Sequence, residues 1–471
     1  MKNKLVYKYI GKVLIGFSIL LFFPVLISLI YKENIMPFII PMSISLILGL
    51  LLNLLKVKNK NLFAKDGFAI VAISWIIISI IGAIPFIIDC NLDFSSAFFE
   101  AVSGLTTTGA TIFEDVEHLS KSVLFWRSFM HFIGGMGVLA FVMAIVPLSK
   151  NDKSMHVLKA EMPGPSVAKL VPSIKKTLFY LYFIYISLTT IEFILLMIGG
   201  LNTFDSLLIA LGTAGTGGFS VLNTSLATYS TFNKWVVTIF MFLFGVNFNI
   251  YFLILMKDLK SALKSEELKA YILIFIVSFI FILINTYNMF ANLSSAILET
   301  AFHISSIMTS TGYSIGDINF YPTSCRIVVL ALMIISACAG STCGGFKISR
   351  LIIILKTIKR DIQKTIHPNS IRTIMFEGKK VEEETIKSTQ TFMFLYILLI
   401  ILIMFIVSFD GIAFEQTINA VFTTFGNVGL CFDITSFANF SSLSKIVLSI
   451  GMLLGRLEIF PIIVLFSDIH K

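Results

Sequence analysis

The sequence predicts an all-α polytopic membrane protein. Its helices fall into four pseudo-symmetric helix–half-helix–helix repeats, preceded by an extra helix pair. Three observations carry this. Of the 471 residues, 56% are hydrophobic and only 13% charged, about half the ~25% charge of an average soluble domain. Apolar runs long enough to span a bilayer recur along the whole chain. A Thr/Gly-rich stretch returns four times, each time in the same kind of connection.

Spanning helices are placed near 10–31, 36–56, 67–88, 122–147, 177–199, 234–256, 271–290, 325–356, 390–408 and 443–466, about ten in all. The first run lacks a small-residue cleavage pattern, so it reads as an anchor and not as a signal peptide. Most of the 36 Lys and Arg fall in alternate connections: Lys2, Lys4, Lys8 and Lys12, then Lys56, Lys58, Lys60 and Lys65, then 150–176, 257–269 and 347–387. The other connections carry carboxylates, among them Asp89, Asp93, Asp115, Asp205, Glu299, Asp317, Asp410 and Asp433. The positive-inside rule then puts both termini in the cytoplasm. The acidic outer face would concentrate cations. The net charge of +9 therefore follows membrane orientation and gives no sign of nucleic acid. The five scattered cysteines read as free thiols.

Four outer connections, at 89–121, 201–233, 291–324 and 409–442, are too long for turns and too apolar for solvated loops. Each holds a short apolar half-helix followed by a Gly-rich turn, the pattern of a re-entrant element. The turns read GLTTTGAT (104–111), GTAGTGGFS (212–220), IMTSTGYS (307–314) and FGNVGLCF (425–432). Their key glycines are Gly109, Gly217, Gly312 and Gly429, preceded by Thr108, Thr216, Thr311 and Val428. The chain thus divides into a helix pair at 1–60 and repeats at 61–150, 151–258, 259–362 and 363–471.

One such turn would suit a helix–helix contact, where Thr and Gly are common. Four suit a cage for a dehydrated alkali cation around a central pore, built from backbone carbonyls. Gly permits the strained φ such strands require. Each half-helix would aim its negative C-terminal end at the centre. The candidate cage residues are Thr106, Thr107, Thr108 and Gly109; Thr216, Gly217 and Gly218; Ser310, Thr311 and Gly312; and Asn427, Val428 and Gly429. Val428 leaves the fourth quarter without a threonine hydroxyl. The span at 325–356 contains SACAGSTCGGFKISR (336–350), too rich in Gly for a regular helix, and should break.

The four turns, SACAGSTCGGFKISR and GRLEIF (455–460) together make the chain resemble the Trk/Ktr/HKT superfamily of potassium transporters, over essentially its whole length. The extra helix pair points to the Trk branch of TrkH-like pore subunits. The resemblance implies a potassium (K⁺) uptake pore with its filter in the outer half. It implies a gate loop at about 339–346, comprising Ala339, Gly340, Ser341, Thr342, Gly344 and Gly345, with Lys347 at its lower edge. Arg456 would interact with that loop. A buried charge costs at least ~2.5 kcal/mol, so Arg456 needs partners: Glu458, loop carbonyls or pore water. The resemblance also implies a homodimer and a ring of cytoplasmic nucleotide-binding (TrkA-like) subunits. The basic connections at 149–176 and 357–387 could receive that partner or anionic lipid.

No organic cofactor, catalytic constellation or nucleotide fingerprint is expected in this chain. His131 and His303 lack a second ligand at metal spacing. The competing transport reading is a sodium-conducting or proton-coupled symporter. Proton coupling needs a titratable group at mid-membrane, and none shows beside the turns. An intramembrane enzyme or a non-conducting scaffold are the readings from other classes.

Overall fold

The structure, a computed structural model, describes residues 4–57, 63–137, 174–368 and 372–467. Helices α1 (Lys4–Leu20) and α2 (Phe22–Tyr31) form one span, and α3 (Met36–Asn53) returns beside it. Small residues set that pairing. A Cβ on Gly11 would stand 2.8 Å from Gly49 O, a close backbone approach that membrane helices use in place of a hydrophobic driving force. Ser45 adds a hydrogen bond to Leu14 O at 2.8 Å.

The first repeat is α4 (Ala64–Cys90), half-helix α5 (Phe94–Leu105) and α6 (Lys121–Gly135). The second is α7 (Ile174–Ile198), half-helix α8 (Thr203–Gly215), α9 (Thr231–Phe244) and α10 (Phe248–Leu255). After short α11 (Leu259–Lys264), the third comprises α12 (Glu266–Thr286), half-helix α13 (Leu293–Met308), α14 (Thr323–Ile334) and α15 (Ile348–Ile366). A small hairpin, β1 (Met375–Phe376) and β2 (Lys379–Lys380), precedes the fourth repeat of α16 (Glu383–Val407), half-helix α17 (Phe414–Phe425), α18 (Ser442–Arg456) and α19 (Phe460–Ser467). The repeat starts are written in capping residues. Asp93, Asn202 and Asn292 cap α5, α8 and α13, while Ser120, Ser230 and Ser441 cap α6, α9 and α18. Each side chain accepts from backbone N–H groups that the helix leaves unpaired.

Six described helices are long and apolar enough to cross a membrane by themselves, or seven if the bent pair α9–α10 counts as one. The break expected in the third repeat is present, and the second helices of the second and fourth repeats are interrupted as well. Helix α6 ends at Gly135, and the rest of the predicted span, 138–147, lies outside the described residues. Helices α9 and α10 bend by 92°, where Gly245 ends one and Asn247 caps the other. Residues 335–347 separate α14 from α15. Helix α18 stops at Arg456, followed by Glu458 and Ile459 in the left-handed region at φ 57° and 64°. Such a φ is costly for a β-branched residue.

Candidate functional site

The four half-helices end alike. At each end one residue takes the left-handed conformation: Thr107, Thr216, Ser310 and Asn427, at φ 59°, 54°, 53° and 56°. Each donates its N–H to the carbonyl three residues back. The next residue donates five back: Thr108 to Ser103, Gly217 to Gly212, Thr311 to Ser306 and Val428 to Thr423, at 2.7–2.9 Å. This double bond is the Schellman ending. It turns the chain sharply off the half-helix and sends four extended segments inward.

The repeated hydrogen bonds fix the register, and they revise it in the second loop. Gly217 corresponds to Thr108, Thr311 and Val428, so the ring glycines are Gly109, Gly218, Gly312 and Gly429. Their neighbours confirm it. A Cβ on Gly109 would stand 2.6 Å from Gly218 N, and one on Gly218 2.6 Å from Thr311 O. One on Gly312 would fall on Val428 O, and one on Gly429 on Thr108 O. Each loop therefore abuts the next, and the fourth closes on the first.

The hydroxyls follow a twofold pattern. Thr106 and Thr108 pair through their Oγ1 atoms at 2.8 Å, and Thr309 with Thr311 at 2.7 Å. Gly215 with Gly217, and Gly426 with Val428, hold those places in the second and fourth loops and cannot pair. The Asn427 amide compensates in the fourth, donating to Thr108 Oγ1 and to Met452 O, both at 2.9 Å.

Beneath the ring, residues 335–347 form a loop inside the protein. Gly340 and Gly345 sit at φ 73°. The loop touches the ring, since Gly344 N–H donates to Ser310 Oγ at 3.2 Å. Ala339 N–H and Ser349 N–H both donate to Glu267 Oε1, at 2.7 and 3.1 Å. Gly340 O accepts from Phe248 N–H, and Thr342 Oγ1 donates to Phe244 O. Ser341 Oγ donates to Cys338 O. Lys347 is buried and caps the carbonyls of Cys343 and Gly344.

Arg456 reaches the loop from the fourth repeat. Its Nη1 donates to Thr342 O at 2.6 Å and to Thr107 Oγ1 at 3.3 Å, and its Nη2 to Gly134 O and Gly135 O. Of the partners foreseen for it, the carbonyls are the ones these bonds use; Glu458 instead pairs with Arg350, whose guanidinium lies 3.9 Å from the Phe392 ring centre. A cavity of about 60 Å³ lies between the loop and these residues, lined by Gly340, Ser341, Lys347, Arg456 and Glu458 among others. It has room for only a few waters.

Sequence reading named Arg456 as the one arginine deep in an apolar run. The structure adds Arg127 and Arg350, both buried. Arg127 Nε pairs with buried Glu100 at 2.9 Å, behind the first loop. It also misses Glu267, which looks like an ordinary first-turn acid. Glu192 of α7 is fully buried beside Thr213 of α8, so a titratable group does lie behind the ring. His131 Nδ1 meets Gly104 O at 2.8 Å, and His303 Nδ1 meets the Tyr321 hydroxyl at 2.9 Å. At the acidic mouth, Asp115 is held below the usual carboxylate range, foremost by the Asn223 amide. Burial pushes the Asp93 carboxyl up, but hydrogen bonds from Ser95 and Ser96 and the charge of Lys445 outweigh it and leave it at about 2.

Four half-helix repeats closed around one axis within a single chain define a four-repeat membrane pore fold. A family model described as TrkH, cation transport protein, matches residues 34–471, and the chain belongs to that family. The Trk system potassium uptake protein TrkG of Escherichia coli K12 is 32% identical over 94% of this chain and 93% of its own length. TrkH of the same strain is 30% identical over 99% of both. The crystal structure of the potassium transporter TrkH from Vibrio parahaemolyticus superposes with a TM-score of 0.88 at 26% identity, covering 99% of each chain.

Proposed function

We propose that this chain is a potassium uptake pore. Thr106–Gly109, Thr216–Gly218, Ser310–Gly312 and Asn427–Gly429 form its selectivity filter. The observation that carries the reading is the closed ring of Gly109, Gly218, Gly312 and Gly429 at the ends of four half-helices. Left-handed residues and glycines there let backbone carbonyls replace an ion's hydration shell. Potassium is the ion named for the bacterial relatives. It is cargo held in passing, and the chain itself performs no covalent chemistry.

The loop 335–347 is the gate. Arg456, Lys347 and Glu267 hold it across the passage. Entry is driven by the membrane potential, worth ~2.3 kcal/mol per elementary charge per 100 mV. Both termini face the cytoplasm of a bacterial inner membrane, which follows from the basic connections. The chain works as a homodimer with a cytoplasmic nucleotide-binding partner. That partner docks on the basic segment 357–387, whose described part includes the second half of α15 and the hairpin; the other candidate, 149–176, falls almost wholly outside the described residues.

The test is potassium and sodium flux into liposomes holding the purified chain, beside Gly312→Ser and Arg456→Ala. Potassium should exceed sodium, Gly312→Ser should narrow that gap, and Arg456→Ala should change rate without changing preference. Uptake that follows an imposed proton gradient at zero potential would instead favour the symporter. Wild type and Arg456→Ala both carrying no cation would overturn the pore.

A further inference from the structure

We infer that Arg127 and His131 of α6 are positioning residues for the second filter loop, and that they set the ion preference of the ring. The inference rests on the filter reading above. Loops one and three each carry an internal Thr–Thr brace. The second loop has glycines at both of those positions, and it is the most pliable quarter of the ring.

Helix α6 supplies the missing brace from the neighbouring repeat. His131 Nε2 accepts the Phe219 N–H at 3.2 Å, one residue past the ring glycine. Its Nδ1 faces Gly104 O at 2.8 Å. An acceptor at one nitrogen and a carbonyl at the other fix the neutral Nδ1–H tautomer. The imidazole occupies the space a side chain at Gly217 would take, which explains the double glycine. Arg127 Nη1 donates to Ser220 O at 3.3 Å, and its guanidinium lies 4.1 Å from the Phe219 ring centre. Glu100 holds the other edge of that guanidinium.

The other repeats show that packing alone does not require these residues. Counting from the caps Ser120, Ser230, Pro322 and Ser441, Arg127 corresponds to Val237, Val329 and Leu448, and His131 to Met241, Met333 and Met452. All six are buried. Counting back from the ring glycine, Glu100 corresponds to Ile209 in the second repeat. An apolar residue thus fills the Arg127 and His131 places in each of the other repeats, while the Glu100 place holds His303 in the third. The polar pair stands beside the second loop, which has neither a Thr–Thr brace nor an amide like that of Asn427.

The experiment is potassium and sodium flux in liposomes for His131→Met, the paired change Glu100→Ile with Arg127→Val, Arg127→Lys, and Gly218→Ser. The first two install residues the second repeat already carries, so no buried charge is orphaned. Melting midpoints are read alongside. The potassium-to-sodium flux ratio should fall about fivefold or more in the first two and in Gly218→Ser, roughly the effect of one lost buried hydrogen bond. Arg127→Lys keeps the ion pair but loses the fork to Ser220, and should lie between them and wild type. If the paired change does not fold, His131→Met and Arg127→Lys decide. An unchanged ratio in folded His131→Met and Arg127→Lys overturns the inference when Gly218→Ser still lowers it. If Gly218→Ser also leaves the ratio unchanged, the filter reading itself fails.

Discussion

Arg456 Nη1 lies 2.6 Å from Thr342 O, so helix α18 of the fourth repeat holds the loop of the third. The same guanidinium takes the two carbonyls at the end of α6. A charged donor is worth about 1.5–3 kcal/mol per hydrogen bond. Arg456→Ala should therefore raise flux about tenfold or more by loosening the loop. Arg456→Lys keeps charge without the planar fork and should give a smaller rise. Flux against potential in liposomes measures both; rates at or below wild type in Arg456→Ala would sink the idea of a restraint.

Glu267 holds both stems of the same loop through one oxygen. Its own backbone N–H is capped by Glu377 of the hairpin turn, at 3.0 Å. Removing the carboxylate orphans two N–H groups, at about 1–3 kcal/mol each. Glu267→Ala should lower the melting midpoint and raise basal flux, while Glu267→Gln, which keeps an acceptor oxygen, should sit near wild type. Equal behaviour of the two variants would show that the acceptor is unimportant.

Adjacent glycines in the second loop should behave differently. Gly218→Ala puts a methyl 2.6 Å from Thr311 O, backbone that cannot swing aside, and should abolish or scramble potassium selectivity. Gly217→Ala presses on the His131 ring instead, and adding His131→Gly should relieve it. Relief of Gly218→Ala by His131→Gly, with none for Gly217→Ala, would return the register to the one first expected.

The Asp93 cap of α5 has a defined acid limit. Its folded carboxyl sits at about 2, against an ordinary value of ~3.9. A depressed carboxylate contributes stability above the unfolded value and loses it as pH falls through the folded one. The stability difference between wild type and Asp93→Ala should thus be constant above about pH 4 and shrink between pH 4 and pH 2. Melting in detergent across that range reads it. A difference that vanishes already at pH 5 would mean the cap is not formed.

Much of this was legible in the sequence because the repeats punctuate themselves. Capping Asp, Asn and Ser residues mark the helix starts, and Thr/Gly turns mark the half-helix ends. The break in the third repeat shows in its glycine content. The bend after α9 does not, since one Gly and one Asn are unremarkable in an apolar run; what fixes it is tertiary, with Gly245 O accepting from Cys338 N–H of the loop. The second loop was misread by one residue because TG was matched to TG. The half-helix carbonyls set the register, and they lie five residues upstream. Glu267 sits in a helix's first turn and Glu100 in a half-helix, where a charge ordinarily meets water, and Arg127 sits mid-way along α6 with its partner Glu100 27 residues upstream, so the burial of these charges has no local sequence signature.

The unequal hydroxyl pattern has one more consequence. In an assembly of four identical subunits every change is copied around the ring, so a substitution is either tolerated four times or not at all. Here Val428 replaces Thr in one quarter and Gly217 sits beside a histidine in another, while Thr108 and Thr311 keep their hydroxyls in the other two. A ring carried in one chain has quarters that differ, so a substitution enters one quarter alone and is answered by its neighbours, as Asn427 answers at Thr108.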